Sequence, residues 1–195
     1  MALSFPNGHF SLLTYCHTEK NDLTRKYSRS YSVEKWEIVG ESGFSMIRGA
    51  SKIALDTKGR MAIPSRYRDA VTSRCGGKLV ATVDRECLLI YPEPDWEEFE
   101  RDLMAVPNVN PVARRLQQIM MGYATDMRMD AHGRVLIPKE LRDVAGLERR
   151  AMLLGQGNKF ELWDEDRWNA KRDEWFAADP GEGLGLPVEL GTLTF

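Results

Sequence analysis

LDTKGRMAIPSRYRD occupies Leu55 to Asp69, and MDAHGRVLIPKELRD repeats its pattern from Met129 to Asp143. Both stretches fit the frame Asp-x-x-Gly-Arg-x-x-Ile-Pro-x-x-x-Arg-Asp. Agreement at so many ordered positions indicates an internal repeat, in which one small structural unit occurs twice. The paired positions are Asp56/Asp130, Gly59/Gly133, Arg60/Arg134, Ile63/Ile137, Pro64/Pro138, Arg68/Arg142 and Asp69/Asp143.

The similarity of the two copies continues beyond this frame. CLLIYP, which begins at Cys87, precedes Trp96, and KFELWD, which begins at Lys159, precedes Trp168. Each copy therefore has an alternating strand followed by a helix that carries an aromatic residue. Each unit is predicted as strand, turn, strand, short helix, strand, turn, strand and helix. One such unit would bury a poor core, whereas two units in one chain can pair around a pseudo-two-fold axis.

Turn and cap signals place the elements of the first unit. Asp56 to Gly59 is predicted as a turn and Arg60 to Ile63 as a short strand. Ser65 is the expected N-cap of the brief helix that follows. A hairpin is predicted around Asp84-Arg85, because alternating apolar segments flank this pair.

Similar signals place the linker and the second unit. Pro111 suits the first turn of a linker helix, predicted to pack through its apolar side or to form a subunit contact. Gly146 is expected to end the short helix, and Asp164 is expected to cap the last helix. The turn of the hairpin is predicted at Gly155 to Asn158. The apolar side of the linker helix carries Val112, Leu116, Ile119 and Met120.

The composition is that of an ordinary soluble globular protein, with 43% apolar and 29% charged residues and a formal net charge of −2. No apolar run approaches the roughly 20 residues that a transmembrane helix needs. The N-terminus also lacks the pattern of a secretory signal, so the protein is predicted to be cytoplasmic. Cys16, Cys75 and Cys87 are odd in number and lack a Cys-x-x-Cys pair, so neither disulfides nor a metal site is predicted.

The charges are unevenly distributed along the chain. Acidic residues are concentrated in 93–102 and 161–174, on segments with helical patterns. If the fold brings the basic residues of both repeats together, the molecule has one cationic face despite its net charge. These basic residues are Arg48, Lys52, Lys58, Arg60, Arg66 and Arg68 in the first unit and Arg128, Arg134, Lys139 and Arg142 in the second.

Composition also suggests a division of the chain. Residues 1–45 are polar and irregular, and they are predicted to be a disordered extension or sequence upstream of the true start. The first repeat with its helix is assigned to 46–106, the linker helix to 107–121 and the second repeat with its helix to 122–178. The Gly- and Pro-rich residues 179–195 are predicted to be a flexible tail.

The repeated turn contains residues of two kinds. Its aspartate and glycine have a structural explanation, because the glycine allows positive backbone dihedrals and the aspartate can cap local amides. Arg60 and Arg134 follow the turns at identical places, where a tight turn does not require a long cation. A guanidinium can donate two hydrogen bonds to guanine O6 and N7 or bind a phosphate. The residues alone leave open whether these arginines contact DNA or are solvated or ion-paired.

The chain resembles the MraZ family of bacterial transcriptional regulators. The resemblance lies in the doubled frame, in the strands that end at Tyr91-Pro and Trp163-Asp, and in the opening Met46-Ile-Arg-Gly-Ala, and it covers about Met46 to Ala178. It implies an α+β fold, a double-psi or swapped-hairpin AbrB-like β-barrel formed by two internal repeats with flanking helices. It also implies a ring-shaped homo-oligomer, associated with the nucleoid, that binds direct repeats in the double-stranded promoter DNA of the division and cell wall gene cluster.

The resemblance also implies a set of DNA-binding residues. In that family the Asp-x-x-x-Arg segment supplies the DNA contact. Because His132 stands where the first repeat has Lys58, the second loop is expected to be less cationic at neutral pH. Arg66 and Lys139 are further candidates for phosphate contact. The full set carried over is Asp56, Lys58, Gly59 and Arg60 in the first loop and Asp130, His132, Gly133 and Arg134 in the second.

Three other functions are considered. The AbrB-like superfamily includes antitoxins, but these usually carry one copy of the hairpin and a separate toxin-binding tail. A purely structural ring would show no salt-dependent association with DNA. An enzyme has little support, because His9, His17 and His132 lack ligand spacing and no Gly-x-Ser-x-Gly or phosphate loop occurs. No cofactor and no small-molecule substrate are therefore predicted.

Overall fold

The computed structural model describes residues 46–107 and 109–177. The extension predicted for residues 1–45 and the tail predicted for residues 179–195 lie outside the described residues. Every element expected in the two repeats is present in the expected order. The first repeat contains β1 (Ile47–Ala54), β2 (Arg60–Ala62), α1 (Ser65–Cys75), β3 (Lys78–Val83), β4 (Leu88–Pro92) and α2 (Glu93–Ala105).

The second repeat follows the same order after a linker helix. The linker is α3 (Pro111–Gly122). The second repeat contains β5 (Thr125–Arg128), β6 (Arg134–Leu136), α4 (Lys139–Ala145), β7 (Arg150–Gly157), β8 (Phe160–Asp164) and α5 (Glu165–Ala177). The described residues thus form a mixed α+β structure, as the family resemblance implied.

The strands of the two repeats are exchanged. Six of them form an antiparallel sheet in the order β1-β7-β8-β4-β3-β5. The first strand of each repeat pairs with the third strand of the other, since β1 pairs with β7 and β5 pairs with β3. The remaining strands, β2 and β6, pair with each other as a separate ribbon. The described strands therefore follow a pseudo-two-fold axis, and they do not close into one continuous barrel.

Two apolar clusters hold these elements together. Beneath the ribbon, Met61, Ile63, Val135 and Ile137 are completely buried in the larger cluster. The second cluster lies where α2, α3 and α5 pack on the sheet, and it includes Trp96, Leu103, Met120 and Trp163. Both faces of the sheet are therefore covered, while the ribbon keeps one face directed to solvent.

Some element ends differ from the prediction. Pro64, not Ser65, occupies the N-cap of α1, and Ser65 is the first helical residue. No side chain caps this helix, and its first turn is closed by the Tyr67 N–H, which donates a hydrogen bond to the Pro64 carbonyl at 2.9 Å. The helix is also longer than predicted, and it ends at Cys75 before Gly76, which adopts the left-handed conformation with φ 60°.

The second hairpin also differs from the prediction. Strand β7 continues through Gly157, although Gly155 to Asn158 was predicted as the turn. The reason is pairing with the other repeat, since Gly155 and Gly157 lie opposite Gly49 and Ile47 of β1. Asp164 caps α5 as predicted, because its Oδ1 accepts hydrogen bonds from two backbone N–H groups of the first turn.

The linker helix α3 presents a different side to the core than its pattern suggested. Gln117 and Met120 are buried, whereas Val112, Leu116 and Ile119 are 74%, 50% and 40% exposed. The Gln117 amide donates hydrogen bonds to the carbonyl oxygens of Leu103 and Val106, at 2.9 and 2.8 Å. Because these carbonyls end α2 and need donors, a polar residue faces inward beside Met120, and the other three residues of the apolar stripe face out.

Candidate nucleic-acid interface

The first repeated loop is organised by the carboxylate of Asp56. Its Oδ1 accepts hydrogen bonds from the backbone N–H groups of Lys58 and Arg60, both at 2.9 Å. Its Oδ2 accepts a hydrogen bond from Nε of the Arg60 side chain at 2.7 Å. One aspartate therefore both shapes the turn and orients the arginine that follows it.

The second loop has the same geometry. Asp130 Oδ1 accepts hydrogen bonds from the N–H groups of His132 and Arg134, at 2.9 and 2.8 Å. Nε and Nη2 of Arg134 both lie 2.9 Å from Asp130 Oδ2. The two arginines are thus equivalent in position and in the way they are held.

The hydrogen bonds of these loops lower the pKa of both aspartates. The backbone N–H of Arg60, assisted by its guanidinium, lowers the pKa of Asp56 from 3.8 to about 2. The corresponding groups of Arg134 lower the pKa of Asp130. Both carboxylates are therefore ionised at neutral pH and remain bound to their arginines.

Each loop is locked to the opposite repeat through its glycine. The carbonyl oxygen of Gly59 accepts a hydrogen bond from Ile137 N–H at 2.9 Å, and that of Gly133 accepts one from Ile63 N–H at 2.8 Å. The two glycines have φ values of 81° and 74°, which L side chains rarely adopt. These reciprocal bonds place one loop at each end of the ribbon.

Two further arginines lie against the same glycines; they are paired positions of the repeat but were not predicted to belong to the site. Arg142 donates from Nε to the Ile137 carbonyl at 3.1 Å, and a Cβ on Gly59 would lie 2.6 Å from that Nε. Arg68 is held equivalently by the Ile63 carbonyl, beside Gly133. The repeat frame marked these positions, but only the exchange of strands brings each arginine to the other repeat's loop.

The ribbon places the two loop arginines on one surface. In the antiparallel register Arg60 lies opposite Leu136, and Ala62 lies opposite Arg134. Residues directly opposite each other point to the same face of a sheet. Two residues along a strand and one strand spacing separate Arg60 from Arg134, so their Cα atoms are roughly 8 Å apart.

The other predicted basic residues differ in their surroundings. Lys58 and His132 lie exposed in the two loops. Arg66 instead donates to the Ala50 carbonyl at 2.9 Å, and Lys139 forms an ion pair with Asp143. Arg66 and Lys139 are therefore engaged by neighbouring protein groups, unlike the two exposed loop residues. Lys52, from the same basic set, forms an ion pair with Glu165 at 2.8 Å.

The described part of the chain lacks the features of a metal centre and of a membrane-spanning helix. Residues 46–107 and 109–177 contain no group of three or more His, Cys, Asp or Glu side chains arranged to hold a metal ion. No helix in this part of the chain is both long and apolar enough to cross a membrane. The two loops and the ribbon between them form the candidate site, because both copies hold an arginine in the same geometry.

Comparison with known proteins gives one consistent family. The model of the family described as "MraZ protein, putative antitoxin-like" matches residues 46–119 and 120–179. The two matches follow the two repeats, so both halves of the described structure carry the family's pattern.

Individual relatives agree with this match. A Thioalkalivibrio sulfidiphilus protein named "Transcriptional regulator MraZ" is 58% identical over 132 residues, which are 67% of this chain and 88% of the relative. Proteins of the same name from Alkalilimnicola ehrlichii and Pseudomonas aeruginosa are 50% and 51% identical, over 76% of this chain and 99% of each relative.

Proposed function

Because this chain belongs to the MraZ family, we propose that it is a transcriptional regulator that binds specific promoter DNA through the β2–β6 ribbon and its two loops. The observation that carries this proposal is the duplicated geometry of Arg60 and Arg134. Each arginine is held by an aspartate of its own loop, on one solvent-facing surface. The relatives' names support the regulatory role, and the geometry of the two loops supports DNA binding as the way in which it is carried out.

The aspartates act by positioning the arginines. A guanidinium has five N–H donors, so those spent on Asp56 or Asp130 leave others for acceptors on DNA. An arginine fixed in this way loses little freedom on binding, and its planar fork matches guanine O6 and N7. The proposed roles are base contact for Arg60 and Arg134, and loop shaping for the aspartates and glycines.

The dimensions of the ribbon suit the major groove, which admits a two-stranded β-ribbon. A separation of roughly 8 Å between the arginines corresponds to between two and three base-pair steps of about 3.4 Å. The exposed Lys58 and His132 at the ribbon ends would contact phosphates on either side, and Arg68 and Arg142 lie against the same loops. Each copy of the chain would then bind one short DNA sequence, called a box below.

Assembly into a ring-shaped homo-oligomer is part of the proposal. The apolar stripe of α3 gives a second copy a surface to cover, because Val112, Leu116 and Ile119 are exposed in the single chain. Several linked domains could each bind one of a set of direct repeats, which raises the effective concentration and favours tandem boxes. Boxes on one side of the duplex would be spaced by about 10 base pairs.

The surface for assembly can be tested directly. Leu116→Gln with Ile119→Gln makes the α3 stripe polar, and we expect the mass measured by light scattering to fall towards that of a single chain. Val144→Gln, which changes an exposed aliphatic residue on α4, is the matched control. An unchanged mass in the α3 variant would show that this stripe does not carry the assembly.

The remaining finer assignments belong to the same proposal. The exchange of first strands between repeats supports the AbrB-like swapped-hairpin arrangement. We retain the division into repeats at 46–106 and 122–178 with a linker at 107–121. Regulation of the division and cell wall gene cluster, association with the nucleoid in the cytoplasm and a non-enzymatic role follow from the family resemblance.

The test of DNA binding is a fluorescence-anisotropy titration of the full chain against its own upstream DNA and a scrambled duplex, at two salt concentrations. We expect a saturable preference for the native DNA that weakens as salt rises. Arg60→Ala and Arg134→Ala should each weaken specific binding roughly 10- to 100-fold, and the double variant should abolish it.

Arg101→Ala removes an exposed arginine of α2 far from the loops in sequence and should bind like the unchanged chain. If the double variant keeps its preference for native DNA while remaining folded, the proposed interface is wrong. If a co-purified small toxin protein is bound at one copy per chain instead, the antitoxin alternative is favoured.

A further inference from the structure

The solvent face of the ribbon carries two apolar residues beside the loop arginines. Ala62 and Leu136 are both exposed, Leu136 by 52%, whereas Met61 and Val135 on the opposite face are completely buried. Ala62 and Leu136 are equivalent in the repeat, because each lies two residues after the loop arginine. The core beneath the ribbon therefore does not need either side chain.

The register places each apolar residue next to an arginine of the other repeat. Leu136 lies directly opposite Arg60, and Ala62 lies directly opposite Arg134. Cβ atoms of directly opposite residues are about 4.5–5.5 Å apart. A surface that binds to either guanidinium must consequently also meet the apolar residue beside it.

We propose that Leu136 and Ala62 are specificity-determining residues that contact thymine 5-methyl groups in the major groove, next to the bases bound by Arg60 and Arg134. This inference rests on the DNA-binding function proposed above. The thymine methyl group is the main apolar feature of the major-groove edge, and aliphatic side chains are suited to contact it. DNA is favoured over an apolar protein surface as the occupant, because the latter would bury the guanidinium N–H groups that Asp56 and Asp130 leave free without giving them acceptors.

The two sides of this interface differ in reach. Aspartate, glycine and arginine are the same in both loops, but leucine stands in the second strand where alanine stands in the first. Leu136 extends farther and covers more apolar surface than Ala62, so the methyl contact beside Arg60 is the stronger one. The pseudo-symmetric ribbon then prefers one orientation on a non-palindromic box, which suits operators built from direct rather than inverted repeats.

The experiment replaces single thymidines of the duplex by deoxyuridine, which removes only the 5-methyl group of the base. The full chain and its Leu136→Ala variant are titrated with the upstream duplex that binds best, in a form with thymine and in forms with deoxyuridine at single positions. We expect one substituted position to weaken binding of the unchanged chain about four-fold, as the loss of one buried methyl group predicts. Leu136→Ala should bind the thymine duplex more weakly and should lose less than the unchanged chain at that position, because its shorter side chain covers less of the methyl group.

Controls separate this inference from the function on which it rests. Val144→Ala, which shortens an exposed aliphatic residue outside the ribbon, should keep the full sensitivity to deoxyuridine. The melting temperature of Leu136→Ala should be unchanged, because the side chain is exposed. Specific binding with equal deoxyuridine sensitivity in both proteins would overturn the inference and leave the DNA-binding function standing. Absence of any preference for native DNA would overturn both.

Discussion

At the scale of single residues, the repeated aspartate explains why the loop needs its sequence. Asp56 satisfies two backbone N–H groups and one guanidinium N–H, and Asp130 does the same in the second repeat. The aspartates therefore serve local structure, and their effect on DNA binding would pass through Arg60 and Arg134. A substitution at Asp56 should alter loop stability and arginine placement together.

The lowered pKa of Asp56 predicts a dependence of stability on pH. The folded protein holds this pKa at about 2, against 3.8 ordinarily, so the ionised carboxylate is favoured by folding. Its contribution is present above pH 3.8 and is lost as pH falls towards 2. The difference in melting temperature between the unchanged chain and Asp56→Asn should therefore shrink across this interval. A difference that stays constant down to pH 2 would contradict the prediction.

Gly59→Ala is predicted to destabilise the protein for two reasons. Its φ of 81° costs an L residue roughly 1–2 kcal/mol, and the new methyl group would lie 2.6 Å from Arg142 Nε. Gly76→Ala is a control that carries only the cost of the left-handed backbone conformation. Its φ is 60°, and a Cβ at this position would have no other atom within 4 Å. Gly122→Ala is a second control that should carry neither the backbone cost nor a steric contact, because Gly122 is helical and a Cβ there would have no other atom within 4 Å. Urea unfolding should rank Gly59→Ala as the most destabilised, and equal effects at Gly59 and Gly76 would exclude the contact with Arg142.

At the scale of elements, α3 shows how hydrogen bonding can decide which side of a helix is buried. Its periodicity offers an apolar stripe, but the helix packs through Gln117 and Met120. Thr82 on β3 adds a second polar anchor, because its buried hydroxyl donates to the Met120 carbonyl at 2.6 Å. The linker is thus attached to the first repeat by polar bonds, which leaves its apolar side available for assembly.

Gln117→Ala is predicted to destabilise the packing of α3. It removes the donor to the Leu103 and Val106 carbonyls, and leaving a buried acceptor unsatisfied costs about 1–3 kcal/mol. Gln118→Ala changes the same residue type at an exposed position of the same helix and should have little effect. Thermal unfolding by calorimetry compares the two, and equal stabilities would refute this account of the linker.

At the scale of the whole molecule, the exchange of strands makes two repeats into one folding unit. Among the strands of residues 46–107 and 109–177, β1 pairs only with β7, and β5 pairs only with β3. The ribbon likewise needs one strand from each repeat. A single repeat consequently has neither a complete sheet nor a complete candidate interface.

This arrangement predicts the behaviour of separated halves. A fragment that ends at Val109 and one that begins at Asn110 should each fail to form a folded monomer, because each lacks the partner strands of the other. Mixed in equal amounts, they should form a one-to-one complex with the circular dichroism spectrum of the intact chain. A half that unfolds cooperatively as a monomer would show that the repeats are independent domains.

The sequence alone determined the duplication, the order of the elements and the identity of Arg60 and Arg134 as the repeated candidates. These features depend on local signals, namely the turn residues, the period of apolar residues and the agreement between copies. It did not place the ends of α1 or β7, because a proline cap and pairing with β1 replaced the expected serine cap and turn.

Only the tertiary structure decided which residues meet across the repeats. It brought Arg142 to Gly59 and Leu136 to Arg60, and it turned Gln117 inward. The physical reason is common to all three. A local pattern reports the period of a segment, but its partners depend on strand register and hydrogen-bonding groups supplied by residues distant in the chain. The candidate loops were therefore readable in the sequence, whereas the surface that they form together exists only in the fold.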